Sequence, residues 1–266
     1  LDGIMRVAEA ARPAYVVVFS AQSMVGQSWQ HPEHWFMTNV VSMVKLHERL
    51  RNCAFLRTFV QVSTPEVYGT TTGMVKEDAP YDPSTPYAVS KAACDMSLMS
   101  FVKAYGFPAV FTRAANVCGP AQQLYRIIPR TILSILTGKR LKLEGGGTSV
   151  RSFIHIRDVC EGTLRAATCG KPGDIFHLAT DRPITLRELV ELICRIMGTR
   201  FEDCVDMAPG RLGLDQVYRL DWTRARTALD WSPRVSLEDT VTQTVRWAKD
   251  NLEVLRNHPW DYQHKP

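Results

Sequence analysis

The sequence lacks the cysteine patterns that would indicate a disulfide framework or a zinc site. Its seven cysteines are an odd number, and none of them forms a Cys-x-x-Cys pair. We therefore expect neither a disulfide-rich secreted domain nor a bound metal. A reducing cytoplasm is the compartment that we expect for such a chain.

The sequence also lacks a membrane segment and a block of like charge. No apolar run approaches the roughly 20 residues of a membrane-spanning helix, and no signal-peptide pattern is present. The 32 lysines and arginines are interspersed with 27 aspartates and glutamates, so no nucleic-acid-binding arm is indicated. We expect neither membrane nor nucleic acid as a partner. The formal net charge of +5 suits a small phosphorylated substrate.

Helical and strand patterns alternate through the first half of the chain. Apolar runs at 15–19, 55–62 and 109–113 predict strands of a parallel sheet, and the first of them is expected to be buried on both faces. Helices are predicted at 2–12, 34–50 and 87–105, the last closed by Gly106. This alternation predicts right-handed βαβ crossovers and an α/β fold.

The second half departs from that alternation. Its patterns predict a helix at 127–136, strands at 139–144 and 150–156, a turn at 145–147 and a helix from 157. Thr185 and Glu188 form a capping-box pattern that opens a helix running to Met197, with Gly198 at its end. Ser236 opens the last long helix.

Tyr87 and Lys91 are the residues around which the chemistry is organised. They are four positions apart, so on a helix they lie on one face. An ammonium beside a phenol lowers the phenol's pKa from its usual value of about 10, which allows the tyrosine to accept a proton. The spacing alone also fits a solvated tyrosine beside a surface lysine. The context is more specific: Thr64 and Glu66 follow a predicted strand, and Pro83-Ser84-Thr85-Pro86 leads into the helix.

Together these segments resemble the extended short-chain dehydrogenase/reductase family, of the NAD-dependent epimerase/dehydratase type. Within it they are most similar to the nucleotide-sugar 4,6-dehydratases and their decarboxylase and epimerase relatives, from about Ala11 to about Asn251. The resemblance implies a Rossmann-type doubly wound parallel sheet, formed by residues 1–120 and about 151–182. It also implies a smaller α/β substrate-binding domain, formed by 121–150 and 183–266. The implied cofactor is NAD, with NADP left open, and the implied assembly is a homodimer through a four-helix bundle of helices 34–50 and 87–105.

The same resemblance assigns the site residues. The catalytic set is Tyr87, Lys91, Thr64 and Glu66. The cofactor is expected to contact Phe19, Ser20, Ala21, Thr38, Val62, Tyr87, Lys91 and Ala114. The nucleotide-diphosphate sugar is expected to contact Ser23, Asn116, Arg126, Lys142, Arg151, His177 and Arg211, although His177 fits a structural role equally well.

In the implied reaction, Tyr87 removes the proton of the sugar 4-hydroxyl, and Glu66 removes the C5 proton before water is lost from C6. The chain departs from the dTDP-glucose enzymes at Pro65, where they carry an aspartate that serves as the acid. Either Glu66 acts first as base and then as acid, or the reaction is a decarboxylation or 4-epimerisation, which needs no such acid. Further departures are Ser152 in place of an aspartate, and Leu212 and Leu214 in place of a proline and a histidine.

A glycine-rich dinucleotide-binding loop is absent before Tyr15. We expect the sequence, which begins with Leu1, to start inside a longer chain whose earlier strands carry that loop and the choice between NAD and NADP. The alternative is a degenerate paralogue that binds nucleotide sugars without catalysis.

Overall fold

A parallel sheet forms the centre of the first lobe of the protein. The computed structural model describes residues 1–71, 73–209 and 219–265. Four parallel strands lie in the order β1-β2-β4-β8, with Val60 of β2 opposite both Val17 and Val110. The described strands are β1 (Tyr15–Val18), β2 (Thr58–Val62), β3 (Met74–Val75), β4 (Ala109–Ala114), β5 (Asn116–Cys118), β6 (Leu141–Glu144), β7 (Val150–His155), β8 (Ile175–Leu178), β9 (Pro183–Thr185), β10 (Val205–Ala208) and β11 (Arg219–Leu220).

Helices pack around this sheet and around a second group of elements, which we call the small lobe. That this lobe is a separate substrate-binding domain stays a prediction. The predicted α/β class with a Rossmann-like parallel sheet is confirmed. The described helices are α1 (Asp2–Ala11), α2 (Pro32–Phe36), α3 (Ser42–Leu50), α4 (Pro86–Tyr105), α5 (Ile127–Leu136), α6 (Ile156–Cys169), α7 (Leu186–Met197), α8 (Phe201–Cys204), α9 (Thr223–Leu229), α10 (Leu237–Asp250) and α11 (Leu252–Leu255).

Strand β1 corrects one expectation. It was predicted to be buried on both faces, but Tyr15 is 44% exposed and Val17 is 36% exposed. The reason is its position, since β2 is its only partner among the described strands and successive side chains of a strand point to opposite faces. Val16 and Val18 pack into the core beneath α1 and α3, while the alternate residues face outward.

The helix predicted at 34–50 is interrupted. It consists of α2 and α3 joined by a π-helical turn, Met37–Val41, in which the chain takes one extra residue per turn. Most other predicted boundaries lie within two residues of the observed ones. The exception is β2, which begins at Thr58 rather than 55, because residues 51–55 form turns.

Helix α4 has the ends that the sequence predicts. Thr85 is its N-cap and accepts a hydrogen bond from the Ala88 amide, and Pro86 occupies the first turn. Gly106 ends the helix in the left-handed conformation, with φ of 63°, which glycine adopts without the steric penalty of a side chain. These local signals fix the start of the helix one residue before Tyr87.

The small lobe comprises β6 and β10, with α5, α7 and α10 around one apolar core. The predicted capping box is confirmed, because Thr185 and Glu188 each accept a hydrogen bond from the other's backbone amide. Strand β10 was not predicted. Its four residues are too few to distinguish from a loop by pattern alone.

Within residues 1–71, 73–209 and 219–265, no helix is long and apolar enough to cross a membrane. All seven cysteines lie in these ranges and are free thiols.

Candidate functional site

Tyr87 and Lys91 lie one helical turn apart on the buried face of α4. Tyr87 is 8% exposed and Lys91 is 4% exposed. The Lys91 ammonium donates a 2.8 Å hydrogen bond to the backbone carbonyl of Val62, the last residue of β2. The helix therefore brings both residues to the carboxyl end of a central strand, where open α/β sheets bind their ligands.

The charge on Lys91 depends on its surroundings. Burial lowers the pKa of its ammonium, while the nearby carboxylate of Asp95 and thiol of Cys94 raise it. Asp95 lies one further turn along the same face of α4 and is fully buried. A buried lysine needs such a counter-charge, because its charged form is otherwise disfavoured in a low-dielectric interior.

Thr64 and Glu66 lie in a short turn directly after β2. Thr64 is the N-cap of the 3-10 turn Pro65–Tyr68, and its hydroxyl accepts a 3.3 Å hydrogen bond from the Glu66 amide. Pro65, which has no amide hydrogen, occupies the first position of this turn and is buried. Thr64 lies two residues after Val62, whose carbonyl accepts the hydrogen bond from Lys91.

Asn39 is a site residue that the sequence analysis missed. Its side chain is buried in the π-helical turn, accepts from the Gln22 amide at 2.9 Å and donates to the Gln22 carbonyl at 3.0 Å. It also donates to the Ser90 hydroxyl at 2.9 Å, and that hydroxyl donates to the carbonyl of Tyr87. Asn39 thus ties the loop after β1 to the helix that carries Tyr87. A polar residue among apolar helical positions was the available signal, but the neighbouring Thr38, which is half-buried, was named instead.

Five of the residues predicted to contact the cofactor lie at or just beyond the carboxyl ends of the parallel strands. Phe19 is 60% exposed and Ser20 is exposed at the end of β1, and Ala21 is half-buried. Val62 ends β2 and Ala114 ends β4, and both are half-buried. Ser20, Ala21 and Ala114 are small, and their position at this edge of the sheet fits the approach of a nicotinamide dinucleotide. Their roles in binding it stay predictions.

The residues predicted to contact the substrate are more scattered. Ser23 is half-buried after β1, and Asn116 on β5 donates a 3.2 Å hydrogen bond to the carbonyl of the buried Ser152. Arg126 is the N-cap of α5, and Arg151 on β7 donates to the Val150 carbonyl. Lys142 is exposed on β6. Arg211, like Leu212 and Leu214, lies outside the described residues.

A second buried polar network lies behind the Tyr87 helix. The Arg113 guanidinium donates to the Asp95 carboxylate at 3.0 Å, and both side chains are fully buried. The Ser63 hydroxyl donates to the same carboxylate oxygen at 2.6 Å. Arg113 also donates to the hydroxyls of Tyr68 and Tyr81. Asp95 therefore belongs to two sets of interactions, being one turn from Lys91 and directly paired with Arg113.

His177 completes this network. Its Nδ1 contacts the Asp221 carbonyl at 3.0 Å, and because a carbonyl only accepts, Nδ1 carries the proton. Nε2 of the neutral ring then accepts from the Tyr68 hydroxyl at 2.8 Å. Burial, and then the Arg113 charge, lower the pKa of His177 to about 3. This environment fits the structural role that the sequence left open, and the role of His177 as a substrate ligand stays a prediction.

Comparison with known proteins places the chain among nucleotide-sugar enzymes. Residues 2–244 match the family model described as GDP-mannose 4,6 dehydratase. The dTDP-glucose 4,6-dehydratase of Streptomyces antibioticus is 34% identical over 249 residues, which are 92% of this chain and 73% of that protein.

Solved structures agree with the match. The DesIV dTDP-glucose 4,6-dehydratase of Streptomyces venezuelae, crystallised with NAD and TYD, superposes with a TM-score of 0.86 at 32% identity, covering 90% of this chain and 74% of that one. The UDP-glucose 4-epimerase of Thermotoga maritima, crystallised with UDP-glucose, gives a TM-score of 0.89 at 28% identity, covering 94% and 82%. Relatives of two activities therefore share this fold.

Proposed function

Because this chain belongs to the GDP-mannose 4,6-dehydratase family, we propose that it is an NAD-dependent nucleotide-sugar 4,6-dehydratase, which forms a 4-keto-6-deoxy sugar. The observation that supports this most directly is the buried Tyr87–Lys91 pair beside the turn that carries Thr64 and Glu66. The dehydratase relatives on which the proposal also rests are 31 to 34% identical to the chain.

Tyr87 is the base for the first proton transfer. With the sugar 4-hydroxyl against its phenolic oxygen, Tyr87 takes the hydroxyl proton, and the Lys91 ammonium stabilises the phenolate. The Val62 carbonyl holds that ammonium in position. We assign to Thr64, the N-cap of the turn after β2, a hydrogen bond to the same sugar oxygen. NAD, when bound at the carboxyl ends of the strands, supplies the hydride acceptor for C4 and later the donor for C6.

Glu66 is the base for the second proton transfer. A ketone at C4 acidifies the C5 proton, which the Glu66 carboxylate removes as the C6 hydroxyl leaves. Pro65, the adjacent residue, has no proton to give. We therefore assign both steps to Glu66, which takes the proton from C5 and returns it to the departing C6 oxygen. C6 then takes up the hydride removed from C4, C5 takes up a proton from solvent, and the proton taken by Tyr87 is released to solvent, so that the sum is the loss of one water from the sugar.

Arginines are the groups that we assign to the substrate diphosphate, because their planar guanidinium groups match phosphate oxygens. Arg126, at the start of α5, and Arg151, on β7, are the described candidates. Arg211 is a third candidate on sequence grounds alone. The nucleotide-diphosphate sugar remains defined by class, and dTDP- and UDP-sugars are the first to test because relatives act on them.

The test is turnover with dTDP-, UDP-, GDP- and CDP-hexoses in deuterium oxide. Dehydration gives a product that has lost one water and carries solvent deuterium at C5. Glu66→Gln should abolish the loss of water and the incorporation of deuterium at C5. Glu253→Gln, a change at an exposed helix residue, should leave both reactions unchanged. Full turnover by Glu66→Gln would contradict the assignment. Binding of a sugar without any turnover would favour the non-catalytic paralogue.

A 4-epimerase is the second candidate. Pro65 at the position of the usual acid and the superposition on UDP-glucose 4-epimerase both favour it. An epimerase needs no C5 base, so its product would keep the C6 oxygen and carry no solvent deuterium at C5. The same isotope experiment therefore separates the two functions, and loss of carbon dioxide from a nucleotide uronic acid would identify a decarboxylase.

For the assembly we propose a homodimer through α2, α3 and α4. Exposed apolar side chains on these helices and on the π-helical turn between α2 and α3 support it: Phe36, Met37, Val41, Val89 and Met96. Two copies of this helix pair would bury these residues in a four-helix bundle. Sedimentation should show a dimer that Met37→Glu with Met96→Glu dissociates, while Met207→Glu, at an exposed methionine of β10, has no effect. A monomeric wild type would contradict the proposal.

We also propose a cytoplasmic location, which seven free thiols and a nucleotide-sugar substrate support. Cell fractionation with a tagged chain tests it, and recovery outside the cytoplasm would contradict it.

A further inference from the structure

The last residues of the chain connect the two lobes. We call residues 260–265 the C-terminal strap. At one end Arg130 of α5 donates to the Trp260 carbonyl at 2.5 Å and to the Asp261 carboxylate at 2.9 Å. At the other end Gln22, in the loop after β1, donates to the Lys265 carbonyl at 2.7 Å. The strap thus reaches from the small lobe to the loop that Asn39 ties to α4.

Beside the far end of the strap lies a cluster of metal-ligating groups at the start of α2. His31 and His34 are three residues apart, and Glu33 lies between them. One Glu33 oxygen is 3.7 Å from Nδ1 of His31 and 3.7 Å from Nε2 of His34. One ligand atom from each of the three lies within 4.8 Å of the other two. Atoms bound to one zinc ion at 2.0 to 2.2 Å stand about 3 to 4 Å apart, so small side-chain shifts suffice.

The hydrogen bonds of the strap determine which nitrogen of His34 carries a proton. Since Gln22 Nε2 donates to a carbonyl, its Oε1 accepts from the Tyr262 hydroxyl at 3.2 Å. That hydroxyl then accepts from Nδ1 of His264 at 3.3 Å. Nε2 of His264 is left as an acceptor, and it accepts a 2.7 Å hydrogen bond from Nδ1–H of His34.

This order leaves a lone pair on His34 Nε2, which points towards the Glu33 carboxylate. A lone pair 3.7 Å from a carboxylate oxygen is repulsive unless a hydrogen-bond donor or a positive charge lies between them. A proton would make an ordinary ion pair. A metal ion would satisfy Nε2, the carboxylate and Nδ1 of His31 together.

We propose that His31, Glu33 and His34 bind a divalent transition-metal ion of the Zn²⁺, Co²⁺ or Ni²⁺ class, and that the ion fastens the strap through His264. Imidazole nitrogen with one carboxylate suits this class. A ligating histidine normally donates its other ring N–H to an orienting partner, and His264 is that partner here. Glu33 supplies the one carboxylate, whose negative charge attracts the cation.

The sequence analysis missed this site, because its metal expectation rested on cysteine spacing and not on the run His31-Pro32-Glu33-His34. The orienting partner could not be predicted, since His34 and His264 are 230 residues apart. The site is separate from the proposed dehydration chemistry, so its test needs neither sugar nor cofactor.

The experiment is calorimetric titration of the purified chain with Co²⁺ and Zn²⁺ at neutral pH, after alkylation of exposed thiols such as Cys160 and Cys169. We expect one ion per chain. His34→Gln and Glu33→Gln should weaken binding by at least about tenfold, and His264→Gln by about tenfold because it removes only the orienting partner. His258→Gln, at an exposed histidine outside the cluster, is the matched control and should bind like the wild type.

Hydrogen exchange of the strap amides supplies the second measurement. Added metal should slow exchange at residues 260–265 in the wild type and leave it unchanged in His264→Gln. Equal binding by wild type and His34→Gln would overturn the proposal and leave a proton-mediated Glu33–His34 ion pair. Tight binding with unchanged strap exchange would overturn the role assigned to His264.

Discussion

Two buried tyrosines in this protein lie beside a cation, and the two pairs differ in what surrounds them. Tyr87 lies one helical turn from Lys91, which is hydrogen-bonded at the carboxyl end of β2. Tyr68 accepts a hydrogen bond from the buried Arg113. Burial raises the pKa of Tyr68 to about 12 even though Arg113 lowers it. A neighbouring cation is therefore not enough to make a tyrosine basic.

The cations differ as well. Arg113 keeps its proton at any physiological pH and is fixed by Asp95 and two phenol groups. Lys91 is a point charge whose pKa burial lowers, so its charge depends on neighbours such as Asp95. The arginine pair is suited to holding structure, and the lysine pair to chemistry in which charge must be stabilised transiently.

The sharpest test of this contrast removes each phenol hydroxyl in turn. Tyr87→Phe should lower turnover by about 10² to 10⁴-fold, the range for loss of a general base, with little change in stability. Tyr68→Phe should keep turnover within a few-fold. It should lower the free energy of unfolding by about 1 to 3 kcal/mol, because buried Arg113 and His177 each lose a partner.

Product formation and urea denaturation of both variants provide the measurement. If Tyr68→Phe also lost turnover at unchanged stability, the two tyrosines could not be assigned separate roles.

The second test removes the buried ion pair between Arg113 and Asp95. Arg113→Met should lower the free energy of unfolding by about 3 to 5 kcal/mol, because the Asp95 carboxylate would remain buried without its partner. Arg113→Lys should recover little, since an ammonium cannot reach Asp95, Tyr68 and Tyr81 together.

A double-mutant cycle with Asp95→Asn serves as the control. The double variant should cost less than the sum of the single variants, because removing both charges leaves neither one unpaired. Additive costs would show that the two charges do not stabilise each other.

Sequence reasoning succeeded where the signal was local. The Thr185–Glu188 capping box and the glycine that ends α4 each depend on residues within one helical turn, and both are as predicted. The Tyr87–Lys91 face follows from helix periodicity in the same way. Family resemblance supplied Thr64 and Glu66, whose short turn has no period of its own.

Sequence reasoning failed where distant residues decide the outcome. The exposure of Tyr15 depends on which strands flank β1, and an apolar run does not record its neighbours. Asn39 is placed by an extra residue in a helical turn, which no propensity marks. Arg113 was read only as the end of a strand, because its partners Asp95 and Tyr68 are separated from it by 18 and 45 residues.

The smallest predicted effect concerns pH and the histidine bonded to Tyr68. Because the pKa of His177 is about 3 in the folded protein and 6.5 as a reference, the unfolded chain binds more protons between these values. Stability is therefore lost as pH falls through this window, by about 2 kcal/mol between pH 6.5 and 5 for this group. His47, whose pKa burial lowers to about 4, contributes in the same direction.

His177→Gln should remove the contribution of His177 to this pH dependence. Between pH 6.5 and 5, the free energy of unfolding of the variant should therefore fall by about 2 kcal/mol less than that of the wild type. Urea denaturation across this range measures the difference, with His258→Gln as a control at an exposed position that should follow the wild type. If the free energy of unfolding of His177→Gln depended on pH as steeply as that of the wild type, the imidazole of His177 would be protonated in the folded protein as readily as in the unfolded chain. The Tyr68 network would then be open to protons, and the contrast with the Tyr87–Lys91 site would have to rest on the choice of cation alone.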